Sequence, residues 1–257
     1  MLVDAHAHID QYKNDLAEAL EQIAAHRILT LSVSMDRGSY AKATAIAQSC
    51  KFVVPTFGIH PWEAQRNCER LDELESYLKA TPVIGEAGLD FYWVKDRSLY
   101  SCQIVVFEYQ CALAQRLSKP VNLHTKGAET EVLEAIHKFD LVKPIVHWYS
   151  GPLELIDSYL QAGSYFTVGV EVLTSARIQE IARIIPAKRL LLETDNPGGY
   201  KWLTRKTGMP DILLEVLAKV SGLRGIDPES LEDQLTENWA EFAKDMEGLA
   251  APGDIVP

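Results

Sequence analysis

The N-terminal residues 3–9 alternate apolar and polar side chains, with Asp4, His6 and His8 at the even positions. Successive side chains of a β-strand point to opposite faces, so this pattern predicts a strand with one apolar and one polar face. His6 and His8 then lie on the same face, about 7 Å apart. Two imidazoles placed in this way at an exposed strand end can bind one metal ion.

Apolar segments of strand length alternate with segments of helical periodicity along the rest of the chain. The predicted strands are residues 3–9, 28–34, 52–60, 82–90, 120–125, 144–149, 164–170 and 189–196. The predicted helices are residues 15–26, 39–50, 69–80, 98–118, 128–138, 152–162, 174–185, 209–222 and 228–246.

This alternation predicts an α/β fold in which a parallel sheet is covered by helices. Eight strand–helix units favour a single (β/α)8 barrel of the TIM type, regular or distorted, with one extra C-terminal helix. A doubly wound open sheet is the alternative, but the Gly-rich phosphate loop typical of that fold is missing from the sequence. We expect one domain over residues 1–247 and a flexible tail over residues 248–257.

The composition limits which binding partners and which cellular compartment we expect. The chain has 257 residues, 47% of them hydrophobic, and a net charge of −11, which opposes non-specific binding to nucleic acid but permits a local phosphate site. No apolar stretch predicts a secretory signal or a membrane span. The four cysteines form no C-x-x-C pair, so we expect free thiols and a cytoplasmic protein. The expected assembly is a monomer or a small homo-oligomer.

Residues with ligand chemistry recur at the ends of the predicted strands. They are His6, His8, His60, Glu86, His124, His147 and Asp195. A lone histidine of this kind is more often a core or surface residue than a ligand. However, the carboxyl ends of all strands in a parallel barrel lie on one face, where active sites are built. The recurrence therefore predicts a metal site.

Six of these side chains exceed the needs of one tetrahedral ion, so we expect two divalent ions that share Glu86 as a bridge. Imidazole and carboxylate ligands suit Zn²⁺, Mn²⁺ or Fe²⁺, and a site rich in carboxylate and water also admits Mg²⁺. Asp195 is placed to bind metal and to take a proton from the attacking water.

Seven segments occur in the order that is typical of the TatD family of metal-dependent deoxyribonucleases. They read DAHAHID, GIHPW, IGEAGLDFY, PVNLHTKGA after a long helix, VHWYSG, LLLETDNP and TENWAEF. The sequence thus resembles this family over nearly its whole length. The resemblance implies a two-metal hydrolase of phosphodiesters, with 3′-to-5′ exonuclease activity on DNA.

The same resemblance implies roles for individual residues. His6, His8, Glu86 and Asp195 match the ligands of one metal, and Glu86, His124 and His147 match the ligands of the other. His60 matches a histidine that we assign to substrate phosphate or proton transfer, with a structural role at the strand end as the alternative.

The predicted substrate contacts depart from the family pattern. Lys126 stands where the family usually has an arginine, which removes a bidentate grip on phosphate. The basic, aromatic loop after Asp195 offers Trp202 and Arg205 for bases and phosphates, or else forms a solvated turn with Trp202 packed inward. Two alternatives to a DNase therefore stay open. The same centre can hydrolyse a small phosphoester or an aminoacyl-tRNA-like ester or amide, or the barrel can act chiefly as a subunit of a complex.

Overall fold

The computed structural model describes residues 1–249. Its strands are β1 Val3–Ala7, β2 Leu29–Val33, β3 Val53–Thr56, β4 Ile84–Asp90, β5 Val121–Lys126, β6 Ile145–Val146, β7 Tyr165–Val168 and β8 Leu190–Leu192. Its α-helices are α1 Leu16–His26, α2 Arg37–Ala47, α3 Glu75–Ala80, α4 Tyr100–Leu117, α5 Glu129–Lys138, α6 Ile156–Gln161, α7 Ala176–Ile184, α8 Gly198–Thr204, α9 Ile212–Arg224 and α10 Pro228–Ala243.

The eight strands form one sheet in the order β3-β2-β1-β8-β7-β6-β5-β4. The two outer strands of this order are joined by a parallel bridge between Phe57, which follows β3, and Ile84 at the start of β4. This order and closure are those of a (β/α)8 barrel, so the predicted fold class is confirmed, including the extra C-terminal helix α10. Apolar side chains from the strands and helices form the core.

The chain divides into two compact units. The first unit contains Met1–Ser32, Ala41–Pro55 and the residues from Phe166 onward, and the second contains Val33–Tyr40 and Thr56–Tyr165. In the first unit β1 pairs with β2 and β8, and β7 pairs with β8; in the second, β4 pairs with β5 and β5 with β6. The prediction of one domain over residues 1–247 stays a prediction. The predicted tail lies outside the described residues from position 250 onward.

Several predicted elements are shorter in the structure; the strands predicted over residues 52–60 and 189–196, for example, span Val53–Thr56 and Leu190–Leu192. Two further differences have a local cause. The strand predicted over residues 144–149 is only two residues long, because the chain leaves the ladder before Trp148, whose φ of 39° is left-handed and incompatible with a strand. The segment after Pro197, expected as a loop, forms the short helix α8. Its two leading glycines are poor helix formers, which is why propensity gave no signal there.

The expectation of four free thiols is wrong. Cys68 and Cys102 form a disulfide, with Cα atoms 5.3 Å apart across 34 residues of sequence, whereas Cys50 and Cys111 are free and buried. The two cysteines are far apart in sequence and come together only in the folded chain, so their spacing does not predict the disulfide. The cytoplasmic prediction therefore loses the support that it took from free thiols.

Within residues 1–249, no helix combines the length and the apolar character that crossing a membrane would require.

A buried amide in α4 holds the segment that leads to His60. The Gln110 side chain accepts a hydrogen bond from Ile59 N (2.8 Å) and donates one to Ile59 O (3.2 Å). Both residues are inaccessible to solvent, so no water can replace these bonds.

We expect Gln110→Leu to lower the free energy of unfolding by about 2–5 kcal/mol, because it leaves two buried backbone groups without partners. Equilibrium unfolding in urea measures the change. Gln115→Leu, at an exposed position of the same helix, is the matched control. A loss in Gln110→Leu no larger than that of the control would show that the amide bridge contributes nothing.

Candidate metal centre

The first unit carries a group of three ligand-type residues at the ends of β1 and β8, which we call the first trio: His6, His8 and Asp195. Asp195 Oδ1 lies 3.6 Å from His6 Nε2 and 3.3 Å from His8 Nε2. Asp195 has a left-handed φ of 51°, and its backbone N–H donates to His6 O, which fixes the end of β8 against β1. A left-handed aspartate is strained, and such strain concentrates at functional sites.

Asp4 lies next to the first trio and joins β1 to the segment that follows β8 through hydrogen bonds. Its carboxylate accepts hydrogen bonds from Thr194 N (3.0 Å), Thr194 Oγ1 (2.6 Å) and His6 N (3.3 Å). Burial raises the pKa of Asp4 to about 7, although these hydrogen bonds act in the opposite direction. Sequence analysis placed Asp4 on the polar face of its strand but gave it no role.

The second unit carries the second trio, His60, Glu86 and His124, with His147 beside it. Glu86 Oε1 lies 2.9 Å from His124 Nδ1, 3.2 Å from His147 Nε2 and 3.4 Å from His60 Nε2. Glu86 is on β4 and His124 is on β5, while His60 and His147 follow β3 and β6. All four side chains are buried.

These distances fit metal coordination. Two ligand atoms that each lie about 2.0–2.2 Å from one ion, at angles between octahedral and tetrahedral, are about 2.8–3.6 Å apart. The separations around Asp195 and around Glu86 fall in this range. Buried imidazoles gathered around a carboxylate are also the donor set that Zn²⁺ and Mn²⁺ take. Both trios are therefore suited to divalent metal ions.

His60 makes a structural contact as well as facing Glu86. It is the N-cap of the 3-10 helix Pro61–Arg66, and its Nδ1 accepts a hydrogen bond from Trp62 N at 3.2 Å. Its Nε2 is the atom that faces Glu86. The two roles considered for this residue thus use different ring nitrogens.

The predicted substrate contacts lie at accessible positions. Lys126 ends β5, and its ammonium group donates to Trp148 O (2.9 Å) and Ser150 Oγ (2.8 Å). Trp202 is 52% exposed in α8, so the alternative in which it packs inward is wrong. Arg205 follows α8 and is also exposed.

Sequence analysis missed an aromatic group around Asp90. The indole Nε1 of Trp62 donates to Asp90 Oδ2 at 2.7 Å, and the backbone N–H groups of Tyr92 and Trp93 donate to Oδ1. The three aromatic side chains are each about half exposed. The signal was the run of aromatic residues directly after GLD, which a polar loop does not require.

Burial alone would raise the pKa of Asp90, but hydrogen bonds from His124, Trp93 and Trp62, together with the charge of His124, lower it to about 2. Asp90 is therefore an ionised carboxylate inside the protein.

A (β/α)8 barrel with histidine and carboxylate groups near the carboxyl ends of its strands has the architecture of a metal-dependent hydrolase. The model of the family "TatD related DNase" matches residues 3–244, so the chain belongs to the TatD family.

Individual relatives agree with this assignment. An uncharacterized metal-dependent hydrolase of Bacillus subtilis, YabD, is 29% identical over 250 residues, covering 93% of this chain and 97% of that protein. The human deoxyribonuclease TATDN3 is 26% identical, covering 92% of each chain. The crystal structure of the Escherichia coli TatD homologue YjjV has a TM-score of 0.83 at 22% identity, over 94% of this chain and 97% of that one, which shows a shared fold.

We expect a divalent ion such as Mn²⁺ or Zn²⁺ to raise the melting temperature, because it binds the folded chain and not the unfolded one. At about 100 times the dissociation constant, the gain of about 2.7 kcal/mol corresponds to about 5–11 °C. Differential scanning fluorimetry of the metal-free protein measures this shift.

Glu86→Gln should lose most of the shift, whereas His137→Ala, at an exposed position of α5, should retain it. An equal shift in wild type and Glu86→Gln would exclude Glu86 as a ligand.

Proposed function

We propose that this protein is a divalent-metal-dependent DNase that cleaves phosphodiester bonds as a 3′-to-5′ exonuclease. The observation that carries the proposal is the contact of Glu86 with three buried imidazoles, in a chain that also groups two histidines with Asp195. This set of groups is larger than one ion needs.

In the proposed centre, His6, His8, Glu86 and Asp195 would hold one ion, and Glu86, His124 and His147 would hold the other. Two divalent ions so held would make water a nucleophile near neutral pH and would stabilise charge on the phosphoryl oxygens. Zn²⁺ and Mn²⁺ suit the imidazoles best, and Mg²⁺ is the third candidate.

Asp195 is the proposed general base. Its side chain is 23% exposed, whereas that of Glu86 is 3% exposed, so Asp195 is the acid that can exchange a proton with water and substrate. As the water oxygen bonds to phosphorus, an Asp195 oxygen takes one of its protons, and the bond from phosphorus to the sugar oxygen breaks. The departing sugar oxygen then receives a proton, for which Asp195 and His60 are the candidates.

Several features support DNA as the substrate. The family description and the name of the human relative both specify deoxyribonuclease. Lys126 and Arg205 supply local positive charge on an acidic protein, which a polyanionic substrate requires. The exposed ring of Trp202 offers a face on which a base can stack.

The direct test is hydrolysis of a 3′-labelled single-stranded DNA oligonucleotide by wild type and Glu86→Ala, with Mn²⁺ or Mg²⁺ and then with EDTA. We expect metal-dependent loss of the 3′ nucleotide by wild type alone, abolished by EDTA. Activity in excess EDTA would contradict the metal mechanism. A metal-loaded wild type that leaves DNA intact would contradict the substrate, and small phosphoesters and aminoacyl esters would then be tested.

Asp195→Asn should lower kcat by several orders of magnitude, because the amide cannot accept the proton of the attacking water. Steady-state kinetics at saturating metal measure the effect. Asp233→Asn, on the exposed side of α10, is the control and should leave kcat unchanged. Near-normal turnover in Asp195→Asn would mean that another group is the base.

Lys126→Ala should raise KM for DNA with a smaller effect on kcat, because it removes a cation that contacts the substrate in the ground and transition states alike. Lys138→Ala, whose ammonium group pairs with Glu108 on the helical surface, is the matched control. An unchanged KM would exclude a phosphate contact at Lys126.

A further inference from the structure

We propose that Asp90 is a positioning residue that fixes the tautomer of His124 and thereby presents Nδ1 of that ring to a metal ion beside Glu86. The inference rests on the proposed metal centre and adds to it a residue that belongs to neither trio. It concerns only residues of the second unit.

Both oxygens of Asp90 are fully used by hydrogen-bond donors. Oδ1 accepts from Tyr92 N at 3.0 Å and from Trp93 N at 2.7 Å. Oδ2 accepts from Trp62 Nε1 at 2.7 Å and lies 3.2 Å from His124 Nε2. A carboxylate offers about four lone-pair positions, so these four partners leave none for a metal ion.

The identity of the partners determines where the proton on His124 lies. Backbone N–H groups and the indole N–H can only donate, so Asp90 acts as an acceptor toward three of its four partners. A carboxylate that accepts on both oxygens has no proton to give to an imidazole. Toward Asp90, His124 Nε2 can therefore only donate, and when a metal ion beside Glu86 takes the Nδ1 lone pair, the one proton of the neutral ring stays on Nε2.

The lone pair on Nδ1 faces Glu86, which is the other carboxylate of β4. His124 Nδ1 lies 2.9 Å from Glu86 Oε1, a separation expected for two ligands of one ion. A ring held between two carboxylates can bind metal with only one nitrogen. The opposite tautomer would place a hydrogen on Nδ1 and block the ligand position.

Close packing of β4 on β5 makes this arrangement possible. Glu86 and Asp90 are four residues apart and share one face of β4, and Gly88 between them is directly paired with His124. A Cβ atom on Gly88 would lie 2.0 Å from His124 O, so only glycine allows the strands to approach this closely. Gln103 of α4 then holds the Asp90 backbone through Asp90 N (2.9 Å) and Asp90 O (3.1 Å).

A carboxylate that accepts the second N–H of a metal-binding histidine orients the ring and increases its basicity, and its loss weakens metal binding about 10- to 100-fold. Asp90 has the position and the charge for this role. Its other three hydrogen bonds keep the carboxylate in place before any metal binds.

The first experiment needs no substitution. Two-bond ¹⁵N–¹H correlation spectra of the Zn²⁺-loaded protein report which nitrogen of each histidine ring carries the proton. We expect His124 to carry its proton on Nε2. A proton on Nδ1 in wild type would overturn the proposal.

The second experiment measures Mn²⁺ and Zn²⁺ affinity by competition with a chromophoric chelator. Asp90→Asn keeps one oxygen for the N–H groups of Tyr92 and Trp93 and turns an NH₂ group toward His124, which reverses the tautomer. We expect affinity for the ion that His124 would hold to fall about 10- to 100-fold. Asp90→Asn with the affinity of wild type would contradict the proposal.

Trp62→Phe is the matched control, because it removes another donor to the same Asp90 oxygen and leaves His124 Nε2 in contact. We expect its metal affinity and its His124 tautomer to be those of wild type. If Trp62→Phe weakens metal binding as much as Asp90→Asn does, the effect comes from general disturbance around Asp90 and the proposal fails.

These outcomes are separate from those of the proposed function. If the tautomer and affinity results hold but the metal-loaded wild type cleaves no phosphodiester, the DNase proposal fails and the role of Asp90 stands. If wild type cleaves DNA and Asp90→Asn binds metal normally, the DNase proposal stands and the proposed role of Asp90 fails.

Discussion

The second unit is built around the burial of the Glu86 carboxylate. This group is 2% exposed and meets three imidazoles, so its removal from water must be offset by positive charge or by hydrogen bonds. A divalent cation would offset it most effectively. The parallel strands of a barrel end next to one another, so side chains from the carboxyl ends of different strands meet at one place. The imidazoles around Glu86 are brought together in this way.

Both trios have a further carboxylate behind them. Asp4 ties β1 to β8 through Thr194 in the first unit, and Asp90 contacts His124 in the second. The two carboxylates act differently, since Asp4 binds backbone and hydroxyl groups whereas Asp90 contacts the ring of a ligand-type histidine. Asp4 lies on the strand that carries His6, whereas Asp90 lies on β4 and the ring that it contacts lies on β5.

Much of this organisation could be predicted from sequence. The alternation around His6 and His8, and the apolar segments that end in His124 or Glu86, follow from the two-residue repeat of a strand and from the shared direction of barrel strands. What could not be predicted depends on long-range packing. The disulfide between Cys68 and Cys102 joins residues that only the fold brings together. The role of Asp90 can be inferred only once its hydrogen-bond donors are known.

Local propensity also failed where tertiary structure decides. The helix α8 begins with two glycines, and β6 ends after two residues although apolar and aromatic residues continue to Tyr149. In both places the chain has just left a strand at the end that carries ligand-type residues. Irregular backbone at such points is expected, because the side chains there are placed for chemistry as well as for packing.

The central claim is that divalent metal held by Glu86 is required for hydrolysis, and Mn²⁺ titration followed by electron paramagnetic resonance tests it most directly. Metal-free wild type and Glu86→Gln are titrated with Mn²⁺ while bound Mn²⁺ and phosphodiester hydrolysis are followed on the same samples. The account predicts that hydrolysis by wild type appears as Mn²⁺ is bound, and that Glu86→Gln loses both binding and hydrolysis. Full hydrolysis by Glu86→Gln, or by wild type without bound metal, would contradict it.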